Sequence, residues 1–451
     1  MLKLFCRILP LLACGMAVAA SGTAPDPAQL QALLDDKGAV WSLSPDSFLT
    51  PDRRLFFRWL ATDKKDEAHY PGYGNSPKMT FLDLAVTEAS VRFKDGQLGS
   101  FTLSLYNRGD QGDASEARFL ALLTDIGTRI TTWSRDKGTE ARKTRIADKD
   151  KFRRAWINGP YALVLTWSAS GWSKRDFRAE YIQLEITPFD ARNDPRKMLT
   201  APTGGKPIVA HAKSTIENVL RKENGDVYLD GVPMVDQGQK GYCAAATTER
   251  VLRFYGIDVS EHVIAELADS DAGRGTSAEL MLKMIKRAGV KFGVQVREHY
   301  TAVGSMHDLE AMVIRYNHVA KREKANKVTL PSFGVIDLSM VYESFDPAVY
   351  KKYRCEGEKV DFKRFLFDVR DHIDKGIPLC WGVYLGLAPE EKLLPQTTGA
   401  HLRLIIGYND TTSEMIYSDS WGAGHEFKKM SYADAWTITT GLYSFDPRHQ
   451  Q

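Results

Sequence analysis

Cysteine is scarce in this chain, with five in 451 residues, and only Cys243, Cys355 and Cys380 lie beyond residue 20. So few excludes a scaffold stapled by disulfides. Charge of one sign is lacking too: the formal net charge is +3, which gives no nucleic-acid footprint. The single basic run, "KREKANK" at 321 to 327, reads as the solvated end of a helix. After the first twenty residues no stretch is long and apolar enough to span a bilayer. Internal repeats, low-complexity segments, a phosphate loop and a Gly-x-Ser-x-Gly elbow are all missing. The histidines at 211, 262, 299, 307, 318 and 372 are scattered, so neither a metal site nor a cofactor is expected. What remains is ordinary globular material, 43% hydrophobic and 26% charged, and enough of it for two or three domains.

The N-terminus, "MLKLFCRILPLLACGMAVAASG", has the form of an export signal. Lys3 and Arg7 supply the positive end, Ile8 to Val18 the apolar stretch, and Ala17-Val18-Ala19 a small-residue cleavage site. The expectation is a signal peptide over residues 1–20 and a periplasmic or extracellular mature chain of net charge about +1. "LLAC" at 11 to 14 also resembles a lipoprotein box, with Cys14 as the lipidated residue.

Residues 36–190 read as an α+β domain. "FTLSLYN" alternates with period two, and an Asp-Gly turn joins it to the strand before it. Phe119, Leu123, Ile126, Ile130 and Trp133 fall on one helical face. "YALVLTW" and "EYIQLEI" add two strands, for a β-β-α-β-β order in which nothing is chemical. His69, in the turn-rich "HYPGYGNSPK", reads as a surface histidine. Residues 191–228, rich in Pro, Gly and Lys, read as a linker. The second domain, 229–447, starts helical and ends in strands. A capped helix is expected over 276–289, a helical stripe at Phe362, Phe365, Val369 and Ile373, and strands in "IPLCWGVYL", "LRLIIGY" and "EMIYSDSW".

The chemistry is concentrated there. In "DQGQKGYCAAAT" Cys243 heads a good helix former that Gly256 should end. A helix N-terminus favours the thiolate that nucleophilic cysteine requires. Gly238 and Gly241 free the preceding loop, so that Gln237 can aim an amide N–H at a developing oxyanion. Gln239 is the substitute donor. "GAHLRLIIGYND" places His401 at the start of a strand, and "YSDSWG" places Asp419 at the end of the next. An antiparallel pair turning at 409 to 412 brings them side by side, with Trp421 as a shield. His425 reads as a loop histidine. Cys355 and Cys380 are a candidate pair, and Cys380 equally a plain core residue.

Gln237, then Cys243 heading a helix, then Gly-Ala-His and Asp-Ser-Trp-Gly resembles the papain-like cysteine peptidases. The aspartate form is most similar to the bacteriocin, double-glycine, leader-peptidase branch, and the likeness runs over about residues 229 to 445. It implies a papain-like fold, with a helical part carrying the cysteine and a sheet carrying histidine and aspartate. It also implies Cys243 as nucleophile, His401 as general base, Asp419 as orienter and Gln237 as oxyanion donor. Ala244 stands where papain-type enzymes commonly have tryptophan, and Tyr242 where leader peptidases usually have aspartate. The reading is an exported cysteine peptidase acting on a peptide or protein through an acyl-thioester, with no nucleic-acid partner. The alternatives are a transglutaminase-like acyl transferase or amidase, and an inactive papain-like binding module. An Asp419→Asn change is expected to be mild, because asparagine serves the related enzymes. The three candidate roles of the first domain are presenting substrate, binding the envelope and acting as a removable pro-region.

Overall fold

A computed structural model describes residues 28–447, apart from 36, 141–143, 147–148, 173–175, 201–214, 239–240, 268–291, 332–335 and 391–395. The export signal, Cys14, His211, Gln239 and the helix expected over 276–289 lie outside the described residues.

The first domain is built on one long antiparallel sheet with a helix across it, and has a separate three-stranded sheet of Ala28–Gln29, Met79–Phe81 and Leu84–Val86. From one edge the strands of the long sheet are Arg58–Trp59, Glu67–Tyr70, Glu88–Lys94, Gln97–Asn107, Arg178–Pro188, Tyr161–Ser170 and Lys149–Asn158. The Asp-Gly turn sits where expected, with Asp95 and Gly96 both at positive φ (52° and 75°) between strands Glu88–Lys94 and Gln97–Asn107. That pair of left-handed residues matches the twist of the strands it joins. The helix runs Glu116–Ser134, with the Ser115 hydroxyl accepting from the Arg118 N–H as its N-cap. Phe119, Ile126 and Ile130 are buried against the sheet, and Leu123 and Trp133 half-buried beside them. Two sequence expectations need correction. "KDKFRRAWIN" is a strand, Lys149–Asn158, that the five-element pattern omitted; its charged residues hid a buried Ala155 and Trp156. His69 is also no surface residue. It lies in strand Glu67–Tyr70, and only 8% of it is exposed.

The second domain has the helices-then-strands order, with two departures. Strand Val294–Thr301, in the helical stretch, crosses over to pair with the final strand, Thr439–Pro447. Helix Tyr432–Ile438 interrupts the strands. The sheet order is Val219–Arg221, Asp226–Leu229, Gly399–Asn409, Leu379–Leu385, Thr439–Pro447, Val294–Thr301. Hairpin Glu414–Ser418 with Lys428–Ser431 attaches to Gly399–Asn409. The stretch read as a linker therefore includes two strands of this sheet. Helix Lys359–Ile373 buries Phe365, Val369 and Ile373 on its inner face, about 2 kcal/mol for each side chain. Gly376 follows it at φ +80°, as a terminating glycine should. The basic run does close a helix, Met306–Glu323, whose last turn carries Lys321 and Arg322.

Candidate active site

Helix Cys243–Phe254 begins at the cysteine and ends before Gly256, at φ +79°. Its first-turn N–H groups have no partner within the helix and face the thiol end. One turn in, the Thr247 hydroxyl donates to the Leu402 carbonyl at 3.0 Å. That bond fixes the helix start against the residue that follows His401. Arg250, fully buried, donates to the Pro233 carbonyl at 2.8 Å and to the Ser418 hydroxyl at 2.5 Å. One guanidinium thus ties the cysteine helix to the loop before Gln237 and to the strand before Asp419.

His401 and Asp419 come together through the expected hairpin. In the register Leu404 faces Ser418, which sets Asp419 beside His401 across the strand pair. The His401 Nε2 to Asp419 Oδ1 distance is 3.0 Å, and both side chains are fully buried. Nδ1 of His401 has no nitrogen or oxygen partner and is the nitrogen left for the thiol. Trp421 stacks on the imidazole, centroids 5.9 Å apart and planes 19° apart.

Electrostatics separate these groups from ordinary ones. Burial alone would raise the Cys243 pKa. Hydrogen bonding and charge from His401, with the Leu402 and Ala244 backbone, overcome burial and hold it below the usual thiol value. His401 is the mirror image: burial lowers it, while Asp419 and the thiol raise it above the usual histidine value. Burial would raise Asp419 as well, but Arg403, His401 and Lys428 hold it well below the usual carboxylate range. Arg403 Nε donates to Asp419 Oδ1 at 2.9 Å, and Lys428 Nζ lies 2.6 Å from Oδ2. These two cations were missed from sequence. Arg403 had a signal, since period two puts it on the same strand face as His401; Lys428 had none.

Gln237 is buried, and its backbone N–H donates to the Ser420 carbonyl at 2.9 Å. Its side-chain Oε1 accepts from the Ser420 hydroxyl at 2.7 Å, so the amide N–H₂ end is the end left to donate elsewhere. The loop and the Asp-Ser-Trp-Gly motif are zipped together by an Asp236–Trp421 β-bridge and by the Gly422 N–H donating to the Val235 carbonyl. His425 is buried and supports the site through its backbone: its carbonyl accepts from the Asp419 N–H at 2.9 Å and the Ser418 hydroxyl at 3.1 Å.

The remaining thiols are different. Cys243, Cys355 and Cys380 are all free, so the candidate pair does not form. Burial raises the pKa of both Cys355 and Cys380, and Cys380 is the second residue of the fully buried strand Leu379–Leu385. One grouping has metal-compatible spacing among the described residues. Glu88, Glu261 and His262 bring ligand atoms within 4.8 Å of one another where the two domains meet. The fold assembles it from distant segments, which scattered histidines in sequence do not reveal; His262 Nε2 already lies within hydrogen-bond distance of Glu88 Oε1, at 2.6 Å.

Residues 311–444 match the model described as the Peptidase_C39 like family. The matched stretch contains His401 and Asp419 and begins after Gln237 and Cys243. No curated protein matches the chain. Among solved structures, xylellain, a cysteine protease from Xylella fastidiosa, is 14% identical. The alignment covers 52% of this chain and 89% of that one, with a TM-score of 0.26. No described helix is long and apolar enough to cross a membrane. Over the matched stretch, the C-terminal half of this chain is similar to C39-type peptidases.

Proposed function

We propose that the protein is a thiol-dependent amide hydrolase, an exported cysteine peptidase whose substrate is a peptide or protein. The observation that carries the reading is the geometry of the pair: His401 Nε2 lies 3.0 Å from the buried Asp419 carboxylate, beside the helix that Cys243 heads. His401 Nδ1 takes the thiol proton as Cys243 Sγ attacks the amide carbonyl carbon. The Gln237 side-chain N–H and the Cys243 backbone N–H hold the oxyanion. As the C–N bond breaks, the same nitrogen returns the proton to the leaving amine. Water, deprotonated by His401, then hydrolyses the acyl-thioester and restores the thiol. Asp419 keeps Nε2 occupied, so that Nδ1 faces the sulfur. Export rests on the Lys3/Arg7 and Ile8–Val18 pattern.

The test is labelling of the mature protein with a biotinylated chloroacetamide, with adducts mapped by mass spectrometry and His401→Ala as control. Rapid, His401-dependent modification of Cys243 alone is expected. Equal, slow labelling of all three cysteines would overturn the reading and leave an inactive binding module. Release of ammonia with incorporation of an added amine, in place of hydrolysis, would transfer the assignment to an acyl transferase.

A further inference from the structure

The loop that carries Gln237 is held from outside its own domain. Asp236, next to it, is buried, with 1% of its side chain exposed, and its carboxylate is reached from the N-terminal sheet. Arg58, on an edge strand of that sheet, donates to Asp236 Oδ2 at 2.6 Å. The Tyr73 hydroxyl donates to the carboxylate at 3.0 Å, and Arg58 in turn donates to that hydroxyl at 3.1 Å. Oδ1 then accepts the Gly238 N–H at 3.1 Å, on the far side of Gln237. Asp236 and Gly238 are therefore locked together, with Gln237 between them.

A second grip lies at the other end of the loop. Tyr242, just before the nucleophile, packs so closely on Gly109 that an added Cβ there would lie 2.7 Å from the tyrosine ring. Glycine is required at 109 for that approach. Behind the loop, Arg253 on the cysteine helix pairs with Glu67 at 2.5 Å, and Ser168 donates to Glu266 at 2.5 Å. A cavity of about 340 Å³ lies between the domains, with Glu67, Arg253 and Asp236 in its lining.

We propose that Arg58 and Tyr73 are positioning residues for the oxyanion donor Gln237, acting through Asp236, so that the N-terminal domain is a permanent part of the active site. It is not a removable pro-region. A cover would lie over the thiol; this domain instead braces the loop behind the donor and leaves Cys243 partly exposed. The inference rests on the peptidase reading above, because it gives Gln237 a reaction to serve.

The test separates oxyanion binding from thiolate reactivity in the full chain. Acetyl-leucyl-leucyl-norleucinal adds to the thiol as a hemithioacetal and needs the oxyanion donor; iodoacetamide alkylation needs only the thiolate. Gln237→Ala should weaken aldehyde binding by roughly 10²-fold. Arg58→Ala should weaken it by about tenfold, Tyr73→Phe by less, and Arg58→Lys should restore most of the loss. In Arg58→Ala, Arg58→Lys and Tyr73→Phe the Cys243 alkylation rate should stay within about twofold of wild type. Arg58→Ala added to Gln237→Ala should cost nothing more, because the donor it positions is gone. Unchanged aldehyde affinity in Arg58→Ala and Tyr73→Phe, with Gln237→Ala weakened, would overturn the proposal. So would parallel loss of aldehyde binding, alkylation and thermal stability, which marks a structural role only. If the wild type binds no aldehyde and Cys243 alkylates no faster than Cys355, the peptidase reading itself has failed and this proposal with it.

Discussion

Cys243 and Cys380 sit on adjoining elements of one domain. Cys380, in the neighbouring strand, pairs with Leu404 of the His401 strand, while Cys243 starts the helix packed on that strand. Burial pushes both thiols up, and only one stays up. Cys380 has apolar neighbours and the more distant Arg250 charge. Cys243 has an imidazole, a helix N-terminus and backbone donors. Burial alone makes an inert thiol; the same burial with a fixed cationic partner makes a nucleophile, since the low dielectric that penalises the lone charge strengthens the pair.

The sharpest way to break that comparison is to exchange the two losses. Cys243→Ala should abolish amide hydrolysis and leave the folded state intact by circular dichroism. Cys380→Ala should keep turnover and cost about 1–2 kcal/mol in a urea titration, as a small buried side chain does. Next in size is Asp419→Asn, expected to be milder than Cys243→Ala for turnover but costly for stability. Asparagine would leave Arg403 and Lys428 buried without their shared anion, so a loss of about 3–5 kcal/mol is expected. Thermal unfolding of the variant checks this, and Asp419→Asn with Lys428→Met should recover part of it.

The pH dependence is a smaller effect with a definite sign. Asp419 has its folded pKa depressed, so its stabilisation is complete above the ordinary carboxyl value of about 3.9 and is lost as pH falls through the lower folded value. Urea midpoints measured from pH 7 downward should therefore fall steeply only below about pH 4, and the Asp419→Asn curve should be flatter there. Cys243 has its thiol lowered, so alkylation at pH 6 should continue when Cys355 and Cys380 have stopped reacting. His401→Ala should remove that difference. The smallest effect is at Cys355, half-buried with its thiol donating to the Ala433 carbonyl at 3.8 Å. Cys355→Ser should change stability by no more than about 1 kcal/mol, with activity unaltered.

Sequence made the second domain more legible than its surroundings, for physical reasons. The start of the cysteine helix, its glycine stop and the His401–Asp419 hairpin depend on local spacing, and local spacing is visible in a string of residues. Arg403 was equally visible, two positions from His401. The brace on Asp236 was not: Arg58 and Tyr73 are more than 160 residues away, in a segment that carries no motif. His69 and strand Lys149–Asn158 were misread for a related reason. Their polar residues find partners across the domain seam or along the sheet, and sequence hydropathy scores them as exposed.

The stacking of Trp421 on His401 has an optical consequence. An imidazolium beside an indole quenches its emission, and a neutral imidazole does so far less. The difference spectrum between the protein and its Trp421→Phe variant isolates that one ring among nine tryptophans. Followed against pH, it would report when His401 carries its proton, with no substrate in the cuvette.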